Sequence, residues 1–265
     1  MKKILSFIFT LFLVIFTNAQ RNELGITLGG ANVIGDVGKG NYINPFPTRF
    51  EEGGKYKIPI SLGILYRFNF NPHMGLRLNT SYSRFLASDY LSAEQYKIDR
   101  KVRISNNILE GALLFEYNFF NINDIQETSH SPYIFGGVGV SLFNNKGLAF
   151  DSDKRKFEYV ENGKQSALVL PFGIGYKYRF NYNWIISLET GFRYTNNDNL
   201  DYSNTSLTTD EIKAIAIANN ISLDDIRKDR VLNGSRFGNL SNKDWYVITG
   251  LTLTYSFGRP ACYCN

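Results

Sequence analysis

The sequence is short of the residues on which most chemistry depends. It holds two histidines, His73 and His130, and two cysteines, Cys262 and Cys264, set as Cys-x-Cys at the end of the chain. A disulfide framework pins loops across a small core, and one terminal pair cannot do that. Cys-x-Cys is also only half of a structural zinc site. A strong excess of one charge is missing too. The formal net charge is +5, and it falls to +3 without Lys2 and Lys3, too little to argue for nucleic acid. Beyond residue 20 there is no long apolar run of the roughly 20 residues that a membrane-crossing helix needs. No cofactor, metal, nucleic acid or small-molecule substrate is expected.

What is present begins with the first residues. Lys2 and Lys3 form a basic start, Ile4 to Phe16 is apolar apart from Ser6 and Thr10, and Thr17-Asn18-Ala19 precedes Gln20. That pattern predicts a secretory signal peptide over residues 1–19, cleaved near Ala19/Gln20. Residues 20–265 then form the exported domain. Its 21 Phe and 17 Tyr, with slightly negative mean hydropathy, fit a protein whose membrane signal is spread over alternating strands.

Alternation recurs eight times, at about 23–31, 58–70, 73–85, 104–119, 133–143, 169–180, 184–195 and 244–257. In the sixth and seventh segments Phe172, Ile174, Tyr176, Tyr178, Trp184, Ile186, Leu188 and Phe192 stand at every second place. Lys177, Arg179, Glu189 and Arg193 occur on the opposite parity. A membrane strand needs about 9–11 residues. Aromatic residues gather at segment ends, as interfacial girdles do.

Connection lengths agree. Asn71-Pro72 and Asn181-Tyr182-Asn183 are tight turns, whereas 33–57, 86–103, 144–166 and 196–243 are long. Residues 120–132 form an intermediate connection. Turns alternating with long loops predict an all-β fold, an eight-stranded antiparallel transmembrane β-barrel with four long extracellular loops and periplasmic turns. In the last loop, Thr209 followed by Asp210 and Glu211 begins a short helix with Ile212, Ile215 and Ala216 on one face. Ser222 to Asp225 begin another.

In such a barrel the apolar parity meets lipid and the other fills the lumen. The inward charges are then Glu23, Arg67, Arg77, Glu110, Glu116, Lys177, Arg179, Glu189 and Arg193. An eight-stranded barrel is only wide enough for side chains, so four acids and five bases should pair and plug it. Inward glycines, among them Gly173, Gly175 and Gly191, make room. Pro171 has no N–H for the ladder and is expected at the rim where the sixth strand begins.

Catalytic groups are not apparent. Both histidines fall at turns expected in the periplasm, away from the outer-leaflet edge where a lipid A-modifying barrel would act. Asp198 and Asp201 lack the spacing of a calcium loop. Asp153-Lys154-Arg155-Lys156 reads as solvated surface, with lipopolysaccharide phosphates as an alternative contact.

Several phrases, in this order, resemble the PorG-type outer-membrane barrel family of Bacteroidota: ELGITLGGANVIGDV, ISNNILEGALLFEYNFF, SPYIFGGVGVSLFNNK, LPFGIGYKYRF, ETGFRYTNNDNLDYS and RFGNLSNKDWYVITGLTLTYSFGRPAC. The motif loop comprises Arg193, Tyr194, Thr195, Asp198, Leu200 and Asp201; Asn199 and Tyr202 depart from the family pattern, as does the Cys262-Tyr263-Cys264 tail. The resemblance implies a non-enzymatic barrel of the outer membrane that serves type IX protein secretion and the gliding linked to it. It also implies contact with that machine's periplasmic ring proteins besides outer-membrane lipid. The periplasmic surfaces available for such contact are the 121–131 turn, with Asp124 and Glu127, and the tail, with Cys262 and Cys264. The alternative expectation is an adhesin or ligand-binding barrel acting through its long outer loops.

Overall fold

Period-two alternation leaves each strand with one apolar and one mixed face, and closure into a ring gives both faces a place. In the computed structural model, residues 22–35, 37, 50–52, 55–89, 92, 95, 98, 103–122, 128–197, 200, 202, 207–228 and 243–258 are described. Residues 1–19, expected as a signal peptide, and Asp124, Glu127, Asp198, Asp201, Cys262 and Cys264 lie outside them.

Eight strands close the barrel: β1 (Asn22–Ile34), β4 (Ser61–Asn69), β5 (Met74–Ser88), β6 (Arg103–Asn118), β7 (Ser129–Asp151), β8 (Lys156–Arg179), β9 (Trp184–Thr195) and β10 (Trp245–Phe257). All neighbours are antiparallel, and β1 closes the ring by pairing with both β10 and β4. Two short strands, β2 (Phe50–Glu52) and β3 (Lys55–Lys57), form a separate ladder. A rung followed from Ile186 through Leu253, Ile26, Ile64, Thr80, Gly111, Val140 and Leu168 returns at Asn196, ten residues on (186 to 196). That stagger tilts the strands, as barrel closure requires.

The outer surface is apolar. Ile26, Ile64 and Ile174 are 63%, 65% and 65% exposed, among rows made mostly of Leu, Ile, Val and aromatic residues. At about 25 cal/mol per Å² such rows are costly in water, and they form the lipid-facing band of a membrane barrel. At the turn end Phe68 and Phe70 pack edge to face at 5.2 Å, and Trp184 and Tyr255 at 5.1 Å. At the loop end Phe172, Phe192, Tyr194 and Trp245 form an outward cluster. Asn71 makes the β4–β5 turn by accepting hydrogen bonds from the His73 and Met74 amides at 2.8 and 2.7 Å.

Residues 144–166, expected as a loop, are a continuation of strands. β7 and β8 run on past the barrel as a two-stranded ribbon, with a register shift between Asn144 and Lys146 and a turn over 152–155. Two helices from the β9–β10 connection pack on it: α1 (Thr209–Ala218) and α2 (Leu223–Arg227). Buried Phe157 of the ribbon meets Ile212, Ala216 and Ile226 of the helices, with Leu148 and Phe150 alongside. α1 starts at Thr209, as expected, and the residue before it supplies the cap. Thr208 and Glu211 form the reciprocal capping box.

Pro171 is not at the rim. It lies inside β8 opposite Arg193 of β9, and the β7–β8 ladder passes from Gly136–Phe172 to Gly139–Val169 with the two positions between unpaired. The missing N–H is accommodated as a gap in the ladder.

Candidate functional site: a filled lumen

The nine charged side chains at inward parity are buried inside the barrel. Their main cluster is centred on Glu116 of β6. Its carboxylate lies 2.8 Å from Arg67 Nε, 3.1 Å from Arg77 Nη1 and 2.6 Å from Lys177 Nζ, so one acid gathers cations from β4, β5 and β8. Arg67 also pairs with Glu23 of β1, whose other oxygen accepts from Asn69 at 2.9 Å. Arg77 continues to Glu189 of β9 at 2.7 Å, and Lys177 donates to Asn118 at 2.9 Å.

A second group sits nearer the loops. Glu110 is 3.4 Å from Arg193 Nε and accepts the Tyr246 hydroxyl. Arg179 lies at the turn end, donating to the carbonyls of Ile122 and Tyr182 at 3.0 and 2.7 Å. Ile122 is fully buried there. Taking charges out of water is expensive, so such clusters persist only when each member is closely partnered.

Two tyrosines outside the expected set complete the polar layer. Tyr133 donates to Glu189 at 2.6 Å, and its ring lies 4.3 Å from Lys177 Nζ. Tyr246 bonds Glu110. Both occupy inward parity beside residues that face outward, which is the signal that marks them. The tight packing explains the glycines opposite: a Cβ on Gly175 would come within 2.5 Å of the Tyr133 ring.

The lumen is not polar throughout. Toward the loops its wall turns apolar, with Val33, Phe85, Ile104, Ile108, Phe143 and Val169 among the buried residues. Leu200 and Tyr202, from the β9–β10 connection, join this layer and close the mouth. The Leu200 amide donates to Asp244 at 2.8 Å and its carbonyl accepts from Asn106 at 3.0 Å. Thr195 donates to the Asp244 carbonyl at 2.7 Å. Tyr202 holds φ of 60°, rare for a bulky residue, and its hydroxyl donates to the Ser105 carbonyl at 3.3 Å. Of the motif loop, then, Arg193, Thr195 and Leu200 turn inward, while Tyr194 points outward against Trp245.

Other singled-out groups have local partners. His73 Nδ1 is 3.0 Å from the Asn118 carbonyl, and His130 Nδ1 is 2.9 Å from the Tyr176 hydroxyl, both toward the turn end. At the ribbon tip Lys154 pairs with Asp151 and Glu158, and Lys156 with Glu158. A depression of about 490 Å³ on the outer face, lined by Leu24, Ile26, Ile64, Tyr66, Leu253 and Tyr255 among others, is walled almost entirely by apolar groups.

The structure is similar to that of Ail, the attachment invasion locus protein of Yersinia pestis, at 11% identity and a TM-score of 0.38, covering 91% of this chain and 100% of that one. It is likewise similar to Neisserial surface protein A, at 10% identity and a TM-score of 0.40, covering 91% and 98%. The N-terminal β-barrel domain of Pseudomonas aeruginosa OprF matches at 11% identity and a TM-score of 0.38, covering 91% and 98%. No curated protein sequence matches the chain. A family model matches residues 2–227 and, overlapping them, 215–265; the chain belongs to the family described as Domain of unknown function (DUF6089).

Proposed function

We propose that the protein is a non-catalytic barrel of the outer membrane, anchoring the type IX protein secretion and gliding apparatus to that membrane. The observation that carries the first part is the sealed lumen. An ionic layer fills the turn-side half and an apolar stopper closes the loop side, so among the described residues the interior is filled by side chains. A barrel of this kind acts through its surfaces. Both histidines have hydrogen-bonding neighbours toward the turn end, away from the edge where a lipid-modifying barrel would place its base.

The secretion role rests on the sequence resemblance to PorG-type barrels. On that reading the periplasmic ring proteins meet the turn side, where the β6–β7 connection is the longest of the three turns. Phe119 and Phe120, at its start, are exposed. Deleting the gene should block export of type IX cargo and surface spreading, and photo-crosslinkers placed across residues 121–131 should capture ring components in intact cells. Normal cargo export in the deletion strain overturns the assignment.

A second reading has its own observation. The ribbon and α1–α2 form a packed body beyond the barrel, which is more structure than a passive loop requires. It supports an adhesin or ligand-binding role through the loops. Removing residues 208–233 should then abolish surface binding while cargo export continues.

A further inference from the structure

We infer that a groove on the outer wall, running over β9, β10, β1, β4 and β5, holds one acyl chain of a glycerophospholipid of the turn-side leaflet, whose ester and phosphate oxygens meet Asn22 and Tyr255. The inference rests on the reading of the chain as an outer-membrane barrel. It adds a ligand class, one sector of the ring and an orientation for the occupant.

Strand register shapes the groove. One wall is the outward row Trp184, Tyr255, Leu24, Tyr66 and Leu78, each paired with the next. The other wall is the neighbouring outward row, Leu253, Ile26, Ile64 and Thr80. All of these residues are exposed. Between the rows lie Gly25 and Leu65, a pair of inward parity, so the floor lies at the level of the backbone. Thr80 pairs in turn with Gly111, where a Cβ would meet nothing within 4 Å, and the groove stays open at that end.

Dimensions choose the occupant. Rows two residues apart on a strand are separated by about 7 Å, whereas a helix with its side chains is about 10–12 Å across. The groove is therefore too narrow to seat a helix and suits a single hydrocarbon chain. Its course over five strands is about 19 Å, and one leaflet's share of the hydrocarbon core is about 15 Å. An oblique path through one leaflet has that relation to the leaflet's depth.

The two ends of the groove differ, and the difference orients the chain. Because the ring closes with a stagger, a row followed from β9 to β5 climbs toward the loops. Trp184 opens β9, whereas Thr80 lies six residues into β5 (74 to 80). The low end thus sits in the aromatic girdle and the high end within the apolar band. At the low end Tyr66 donates to Asn22 Oδ1 at 2.8 Å, and Asn183 donates to the Tyr255 hydroxyl at 3.1 Å. That pairing leaves the Asn22 NH2 and the Tyr255 hydroxyl hydrogen as donors. Ester and phosphate oxygens only accept, so donors at the foot and hydrocarbon above match an amphiphile lying head toward the turns.

The test uses the full chain, refolded in neutral detergent and checked by heat-modifiable gel mobility. It is titrated with dipalmitoyl phosphatidylethanolamine, with native mass spectrometry as readout, and one saturable lipid per barrel is expected. Ile26→Phe/Thr80→Phe fills the groove with apolar side chains and should weaken binding at least about tenfold, the scale of two methylenes displaced. Leu142→Phe, on the outward row of β7, should leave it unchanged. Asn22→Ala/Tyr255→Phe should weaken it about fivefold, the scale of one hydrogen bond. Absence of a saturable adduct, or equal affinity in the filled variant and the β7 control, overturns the inference, and full affinity without the Asn22 and Tyr255 donors overturns the placing of the headgroup. A second measurement needs no change in the groove. In Trp245→Phe vesicles, phosphatidylethanolamine brominated on its chains should quench Trp184 to saturation at low mole fraction. Quenching that only tracks mole fraction overturns the inference too. Cell fractionation separates it from the reading beneath: absence from the outer membrane sinks the parent reading, whereas correct fractionation without a lipid adduct sinks this one alone.

Discussion

Replacing Glu116 by glutamine keeps the shape of the side chain and removes the charge at the centre of the lumen. Arg67, Arg77 and Lys177 lie 2.8, 3.1 and 2.6 Å from its oxygens, and all four side chains are buried. In the variant those three cations share the two remaining carboxylates of the cluster, Glu23 and Glu189. Breaking a buried pair by removing one partner costs about 3–5 kcal/mol, because the other charge stays buried without compensation. With an m-value near 2 kcal/mol per molar urea, a loss of about 4 kcal/mol lowers the unfolding midpoint by about 2 M. The assay is urea unfolding of the protein in phospholipid vesicles, followed through Trp184 and Trp245, the two tryptophans of the chain. Lys177→Met should be destabilising alone yet partly rescue Glu116→Gln, with a coupling of about 1–3 kcal/mol. A midpoint shift below about 0.5 M for Glu116→Gln, or strictly additive effects in the double variant, would refute the idea that this carboxylate holds the network together.

Five further outcomes are expected. Gly173→Ala places a methyl 2.3 Å from the Thr190 carbonyl and 2.6 Å from Phe135, so it should cost at least about 1–3 kcal/mol by overpacking. Gly111→Ala, with open space, should be neutral or slightly stabilising in the same urea titration. Thr208→Ala removes the α1 cap and should weaken the helix by about 1 kcal/mol, seen as faster amide exchange over 209–218 with the barrel midpoint unchanged. The Thr208 hydroxyl and amide hold the Glu211 carboxyl below its usual range. The helix gains from that bond at neutral pH and loses the gain as pH falls below about 4.5, so amide protection in α1 should decline there first. Tyr202→Ala opens the stopper but leaves the ionic layer, so planar-bilayer recordings should stay silent; stepwise conductance in that variant alone would overturn the two-layer seal.

How much could be read from the chain depended on whether a segment faces two different surroundings. Leu76, Leu78 and Tyr82 alternate with Arg77, Asn79 and Ser81 because lipid lies on one side and a polar interior on the other. Parity there orients every side chain, including both ends of the Arg77–Glu189 pair. The ribbon is not legible in the sequence because most of its outer half is exposed on both faces, so nothing forces Glu158 to Ser166 to alternate. Its hydrogen bonds are between backbones, which composition does not register. The apolar stopper is hidden for the opposite reason. Near the loops both faces are apolar, as in Phe85-Leu86-Ala87, and a run without contrast has no readable inside. The family resemblance points to Leu200, but its place in the stopper follows from bonds to Asn106 and Asp244, 94 and 44 residues away.

The ionic cluster also bears on how the barrel is assembled. Glu23 belongs to the first strand and Glu189 to the next-to-last strand of the ring, while their partners Arg67 and Arg77 lie on β4 and β5. Arg67 finds both its acids on the first strands, Glu23 on β1 and Glu116 on β6, but Arg77 gains its second acid, Glu189, only when β9 has come round. A half-formed sheet would leave the Arg77 guanidinium less fully compensated, which is expensive near hydrocarbon. Closing the ring therefore completes the pairing of Arg77, and one of the charges that fill the finished interior also favours the closed barrel over an open sheet.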